Sequence, residues 1–140
     1  MKFSLLILIF TTAIMTQIQA QDTNINSIEN TINYYFDGMI NHNSAAIKKA
    51  FAPTASMKWI ENGEYKEVNA TAALTEYLDS NKPSKCVARI TSIHRKGDAA
   101  NVGLEIEYET FTFVDYMHLL KINNEWLIVS KTYTTIPKEF

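Results

Sequence analysis

The chain has 140 residues and a formal net charge of −2, which allows one ordinary domain and excludes the concentrated basic face that nucleic-acid binding requires. A single cysteine, Cys86, cannot close an internal disulfide, so stability must come from a packed core. Four glycines and no Gly-x-Ser-x-Gly, Walker-type or dinucleotide fingerprint exclude the common glycine-rich cofactor loops, and no cofactor is expected.

Residues 1–20 read as a secretory signal peptide. Lys2 precedes the apolar run Phe3–Phe10, broken only by Ser4, and small and polar residues lead to Ala20. The run is short for a bilayer span, so cleavage after Ala20 is expected, with an uncleaved anchor as the alternative. The remainder, 21–140, is one domain with 12 basic and 15 acidic residues. The expected location is secreted or periplasmic, with no stable membrane anchor after cleavage.

Asp22 to about His42 predicts a first helix, with Ile25, Ile28, Ile32, Tyr35-Phe36 and Met39-Ile40 on one face. Ser44 caps a short second helix carrying Ile47, Ala50 and Phe51, which Pro53 should stop. Ala55–Ile60 and Tyr65–Val68 form a small hairpin about Asn62-Gly63. Asn69 or Thr71 caps a third helix to about Asn81, with Ala73, Leu74, Tyr77 and Leu78 inward. Asn69-Ala70-Thr71 is also a formal glycosylation sequon, better explained as a cap.

From Lys85 the pattern alternates with period two. Cys86–Lys96 and Asn101–Glu109 are strands; in the second, Val102, Leu104, Ile106 and Tyr108 face the core while Glu105, Glu107 and Glu109 form a solvated stripe. A two-residue turn at Glu109-Thr110 would place Ile106 opposite Phe113, Leu104 opposite Asp115 and Val102 opposite Met117. Phe111–Ile122 and the run to Tyr133 form a final hairpin about Asn123-Asn124. A three-residue loop pairs apolar with apolar residues and charge with countercharge. It sets Lys121 opposite Glu125, Leu119 opposite Leu127, Met117 opposite Val129 and Asp115 opposite Lys131. Asp115 and Lys131 then close an otherwise apolar inner face.

Helix, helix, hairpin, helix and a four-strand meander pack most economically as an α+β cone. Three helices cover one side of a curved, mostly antiparallel six-stranded sheet, leaving a cavity against the first helix. This order resembles the cystatin-like cone shared by nuclear transport factor 2, the ketosteroid isomerases and polyketide-cyclase-like proteins. FVDYMHLLKINNEWLIVSKTY is similar to the C-terminal signature of the exported "putative lumazine-binding" (SnoaL-like) branch of this NTF2-like superfamily. The shared elements are Asp115-Tyr116, Leu119-Leu120-Lys121, Trp126-Leu127-Ile128 and Lys131; AFAPTASMKWI resembles its Phe-x-Pro segment, with Ala52 where His is commoner.

The expectation is a small-molecule binder whose cavity is lined by Tyr34, Trp59, Tyr108, Asp115 and Lys131. Aromatic walls with a few polar groups suit such a pocket. The alternatives are an isomerase or cyclase with Asp115 as general base, and a scaffold whose interior is filled by side chains. The resemblance to ketosteroid isomerases implies an oxyanion-donating tyrosine on the first helix; Tyr35 itself reads as core. His42, His94 and His118 have no ligand spacing, so no metal site is expected. The other sheet face, with Thr112, Val114, Tyr116, His118, Leu120, Trp126 and Ile128, is apolar enough to predict a homodimer.

Overall fold

A computed structural model describes residues 23–139 of the chain. The expected signal peptide, 1–20, lies outside these residues, and among them no helix is long and apolar enough to cross a membrane. Residues 23–41 are helical (α1), followed by α2 (Ser44–Ala50), β1 (Phe51–Glu61), β2 (Glu64–Asn69) and α3 (Ala70–Ser80). The chain then runs through β3 (Val87–Lys96), β4 (Ala99–Glu107), β5 (Phe111–Ile122) and β6 (Glu125–Pro137). The strands make one six-stranded sheet in the order β2-β1-β6-β5-β4-β3. Every pairing is antiparallel except β1 with β6. The α+β cone is the observed fold.

The buried stripe of α1 is Ile28, Ile32, Tyr35 and Met39, four residues at helical spacing. It lies in the hollow of the sheet against Val102, Leu104, Ile106, Met117, Leu119 and Ile128. Gly38 lets α2 approach closely, because a Cβ there would come within 2.6 Å of Ile47 Cγ1. Asn43, not Ser44, caps α2 by accepting from the Ala46 amide at 3.2 Å. Asn69 caps α3 by accepting from the Ala72 amide and donates to the Pro53 carbonyl, so its side chain is committed to structure. On α3, Leu74 and Leu78 are buried as expected; Ala73 is half-buried, Tyr77 is exposed, and Ala70 takes the remaining inward place.

β1 starts four residues earlier than expected. Pro53 does not end the preceding helix but sits in an irregular stretch between the pairings Phe51–Ile128 and Ser56–Ser130, where a missing amide is tolerated.

Curvature comes from bulges. Thr91 is the extra residue where β3 shifts against β4, and its hydroxyl packs on Gly103, where a Cβ would meet it at 2.9 Å. The β4–β5 register is the expected one: Ile106 faces Phe113, Leu104 faces Asp115 and Val102 faces Met117. The β5–β6 register is not. Asn123 and Asn124, at φ 50° and 66°, form a two-residue turn, setting Lys121 opposite Trp126 and Leu119 opposite Ile128. Trp126 and Ile128 therefore point into the core and do not belong to the outer face, where Leu127 is found instead. Val129 is then extra in β6, and pairing resumes at His118–Ser130 and Met117–Lys131. That bulge switches the inward positions of β6 from even to odd numbers. Lys131 and Tyr133 face inward because of it.

Candidate functional site

Asp115 and Lys131 are 0% and 3% exposed in the middle of the hollow. They are diagonal neighbours on the inner face, since Asp115 pairs with Tyr133 and Lys131 with Met117. Lys131 Nζ donates to Asp115 Oδ2 at 2.9 Å and to Tyr35 Oη at 2.7 Å. Tyr35 Oη in turn donates to the same carboxylate oxygen at 2.7 Å. Three polar groups from α1, β5 and β6 thus close a ring inside an apolar core.

Aromatic rings surround the ammonium. Lys131 Nζ lies 4.8 Å from the Tyr133 centroid, 5.1 Å from that of Tyr35 and 6.0 Å from that of Phe113, within cation–π range. Beyond them the rings continue in both directions. Trp59 stacks on Tyr133 at 5.6 Å, and Phe113 stands edge-on to Tyr108, which stacks on Phe111 at 4.8 Å. Tyr108 and Phe111 form one wall of a groove of about 610 Å³ at the rim of the cone, bordered by Cys86, Lys85 and Lys138. Asp115 Oδ1 is the one unsatisfied atom of the ring: it is buried and has no hydrogen-bond partner among the described residues.

The environment acts on each titratable group. Burial lowers the pKa of Lys131, while the charge of Asp115 and its hydrogen bond pull the other way. Burial, reinforced by the Asp115 charge and hydrogen bond, holds the Tyr35 phenol well above its usual value. Tyr133 and Tyr108 are raised too, chiefly by burial. For a phenol raised in the folded state, stability is complete below the unfolded pKa of about 10 and falls as pH rises beyond it. Lys131, lowered in the folded state, contributes the opposite slope just below its unfolded pKa of about 10.4. Above pH 10 the tyrosines dominate. Tyr35→Phe should flatten the alkaline decline of stability by about 1.4 kcal/mol per pH unit. Urea midpoints measured from pH 9 upward check this.

Of the expected lining, Asp115 and Lys131 touch, and Trp59 and Tyr108 join them through Tyr133 and Phe113. Tyr34 does not join them. It is 44% exposed on another side of α1, with Lys49 Nζ 5.5 Å above its ring. Tyr35 takes the helix position in the ring, and the Ile28-Ile32-Tyr35-Met39 stripe was the signal that singles it out. Cys86 is half-buried at the groove, where burial pushes its thiol up against a hydrogen bond with Tyr108. The Glu stripe is occupied: Arg89 bridges Glu105 and Glu107, and Lys138 also reaches Glu107, whose carboxyl these bonds hold down at about 2. Among the described residues no three His, Cys, Asp or Glu side chains cluster as metal ligands.

A family model described as "Putative lumazine-binding" matches residues 23–134. The chain belongs to that family. Among solved structures, the lumazine-binding family chain is similar to an NTF2-like protein of unknown function from Shewanella baltica OS155. The two share 25% identity over 83% of this chain and 96% of that one, with a TM-score of 0.77. An NTF2-like protein of unknown function from Methylobacillus flagellatus KT is also 25% identical, over 81% and 92%, with a TM-score of 0.73. One from Silicibacter pomeroyi DSS-3 is 22% identical over 82% and 98%, with a TM-score of 0.72. No curated protein matches the chain.

Proposed function

We propose that this protein binds a small planar organic molecule in the aromatic mouth of the cone, with Asp115 Oδ1 accepting a hydrogen bond from it. The observation that carries this reading is the unpaired buried oxygen. A buried acceptor left without a donor costs roughly 1–3 kcal/mol, and a bound N–H or O–H removes that cost. The rings of Trp59, Tyr133, Phe113 and Tyr108 supply flat apolar walls, and the rim groove beside Tyr108 offers the approach. Lys131 and Tyr35 hold Oδ2 and so fix the direction in which Oδ1 points.

The test is titration with lumazine, followed by the indole signal of Trp59 and by native mass spectrometry. Stoichiometric binding that is lost in Trp59→Leu and in Tyr133→Leu, with both variants folded, supports the reading. No response of Trp59 and no bound mass would overturn it. The free oxygen also favours a second reading, in which Asp115 Oδ1 takes a proton from the ligand as a general base. Ligand C–H groups that exchange with deuterated solvent only in the presence of the protein would distinguish it from simple binding.

We also propose that the protein is exported, on the basic, apolar and small-residue order of residues 1–20, with a mature N-terminus at Gln21 that N-terminal sequencing would read. Two copies pair through the outer sheet face. There Tyr116 and Leu120 are exposed among half-buried Val114, Leu127 and Val129. Light scattering should give a dimer mass that Leu120→Glu halves; a monomeric wild type would refute this pairing.

A further inference from the structure

A groove of about 640 Å³ lies between α1, the α2–β1 junction and the β5–β6 turn; none of the Tyr35–Asp115–Lys131 ring lines it, although its Phe51 stands edge-on to Tyr35 at 5.8 Å. Its apolar lining is the half-exposed ring of Tyr34, exposed Pro53 and half-buried Leu127, with Phe51 and Trp126 almost wholly buried behind them. Lys48 and Lys49 border it. Both ammonium groups stand at the last turn of α2, where the helix dipole favours cations. The dipole explains why lysines are tolerated there, but not why both border an aromatic groove without a counter-ion. Neither has a carboxylate partner among the described residues, and Glu125 is the single acid in the lining. The Trp126 side chain is almost wholly buried, and its Nε1 donor has no acceptor among the described residues. Two cations without a carboxylate partner, one of them Lys49 lying over the Tyr34 ring, share with an unused N–H donor one cavity of a volume usual for small-ligand sites.

We infer that this groove is a second binding site, for a small organic anion with a flat apolar body and a carboxylate-type head. The body lies along Tyr34 and Pro53, while the head meets Lys48 and Lys49. The ligand brings an acceptor into the neighbourhood of the Trp126 indole. Charge decides the specificity: a neutral molecule of the same shape keeps the apolar contacts and loses the ionic ones.

The protein has two tryptophans, and they fall one to each site, so their indole N–H resonances report the two sites separately. The probes are 2-naphthoate and its neutral counterpart 2-naphthylmethanol. Naphthoate should shift the Trp126 indole and the amides of Lys48, Lys49 and Asn124 to Leu127, leaving the Trp59 indole in place. The alcohol should bind about tenfold more weakly, as loss of two partly exposed ion pairs implies. The double variant Lys48→Gln/Lys49→Gln, altered only at exposed positions, should reduce naphthoate to the level of the alcohol. Equal affinity for the two probes would overturn the inference. So would a response at Trp59 in place of Trp126, or full naphthoate binding by the double variant.

Discussion

Lys131→Met should lower stability by about 3–5 kcal/mol, because it leaves the Asp115 carboxylate charged and unpaired in an apolar core. Asp115→Leu strands the ammonium instead, and should cost a comparable amount at neutral pH. The two variants part company in their pH dependence. A stranded carboxylate is relieved by taking up a proton, so Lys131→Met should regain stability as pH falls. A stranded ammonium is relieved by losing one, so Asp115→Leu should regain it as pH rises, all the sooner because burial already lowers the pKa of Lys131. The double variant Asp115→Leu/Lys131→Met removes both charges at similar volume. It should recover most of the loss, short by the roughly 1–3 kcal/mol of a Tyr35 hydroxyl left without partners. Adding Tyr35→Phe removes that remainder. Urea unfolding of the single, double and triple variants reads the whole cycle. Single losses below about 1 kcal/mol would mean that the pair behaves as a solvated surface bridge.

The ring has a structural reading beside its functional one, and the cycle separates them. A triad kept only to fix α1 in the sheet should be replaceable by the apolar triple variant with no other consequence. If lumazine binding disappears in a triple variant as stable as the wild type, the three polar groups are retained for the ligand.

How far the residues themselves announced this arrangement depends on which spacing is considered. Period two along β4 and β5 was enough to set Leu104 against Asp115, since both strands alternate cleanly and their turn is short. Helical periodicity found the inner face of α1, but the choice between the adjacent Tyr34 and Tyr35 needed that stripe to be followed through Ile28, Ile32 and Met39. The nearness of Asp115 and Lys131 was inferred through a three-residue loop and an unbroken strand, and neither exists. The true turn is one residue shorter and the strand carries one residue extra; together they shift the register by two, which returns Lys131 to the inner face but opposite Met117, while Trp126 and Ile128 change face. A bulge leaves little trace in composition, because Val129 is an ordinary strand residue, and yet it bends the strand that carries it. The β1 boundary was misplaced for a related reason. Pro53 reads as a helix stop when only neighbours are weighed, yet the irregular parallel seam with β6 accepts it.

An insertion and a deletion at that bulge should have unequal effects. Ile128 faces inward, Val129 is extra, Ser130 faces outward and Lys131 faces inward. Deleting Val129 restores strict alternation from Ile128 to Lys131 and leaves every inward residue inward. The variant should remain folded, with a flatter sheet and a reduced but measurable stability. Inserting one alanine between Ser130 and Lys131 does the reverse, turning Lys131 and Tyr133 outward from that point on. Asp115 is then stranded, at about 3–5 kcal/mol. The half-buried Tyr133 ring leaves its contacts with Trp59 and Phe113, a further loss of about 1–3 kcal/mol for two aromatic pairs. Together these approach the whole stability of an ordinary domain, about 5–15 kcal/mol. The insertion variant should lose its cooperative unfolding transition and its dispersed amide spectrum, whereas the deletion variant keeps both. If the insertion variant instead unfolds cooperatively with Lys131 still bonded to Asp115, the sheet absorbs a second extra residue at the same place. The phase of β6 would then be set by the charged ring and not by the length of the strand.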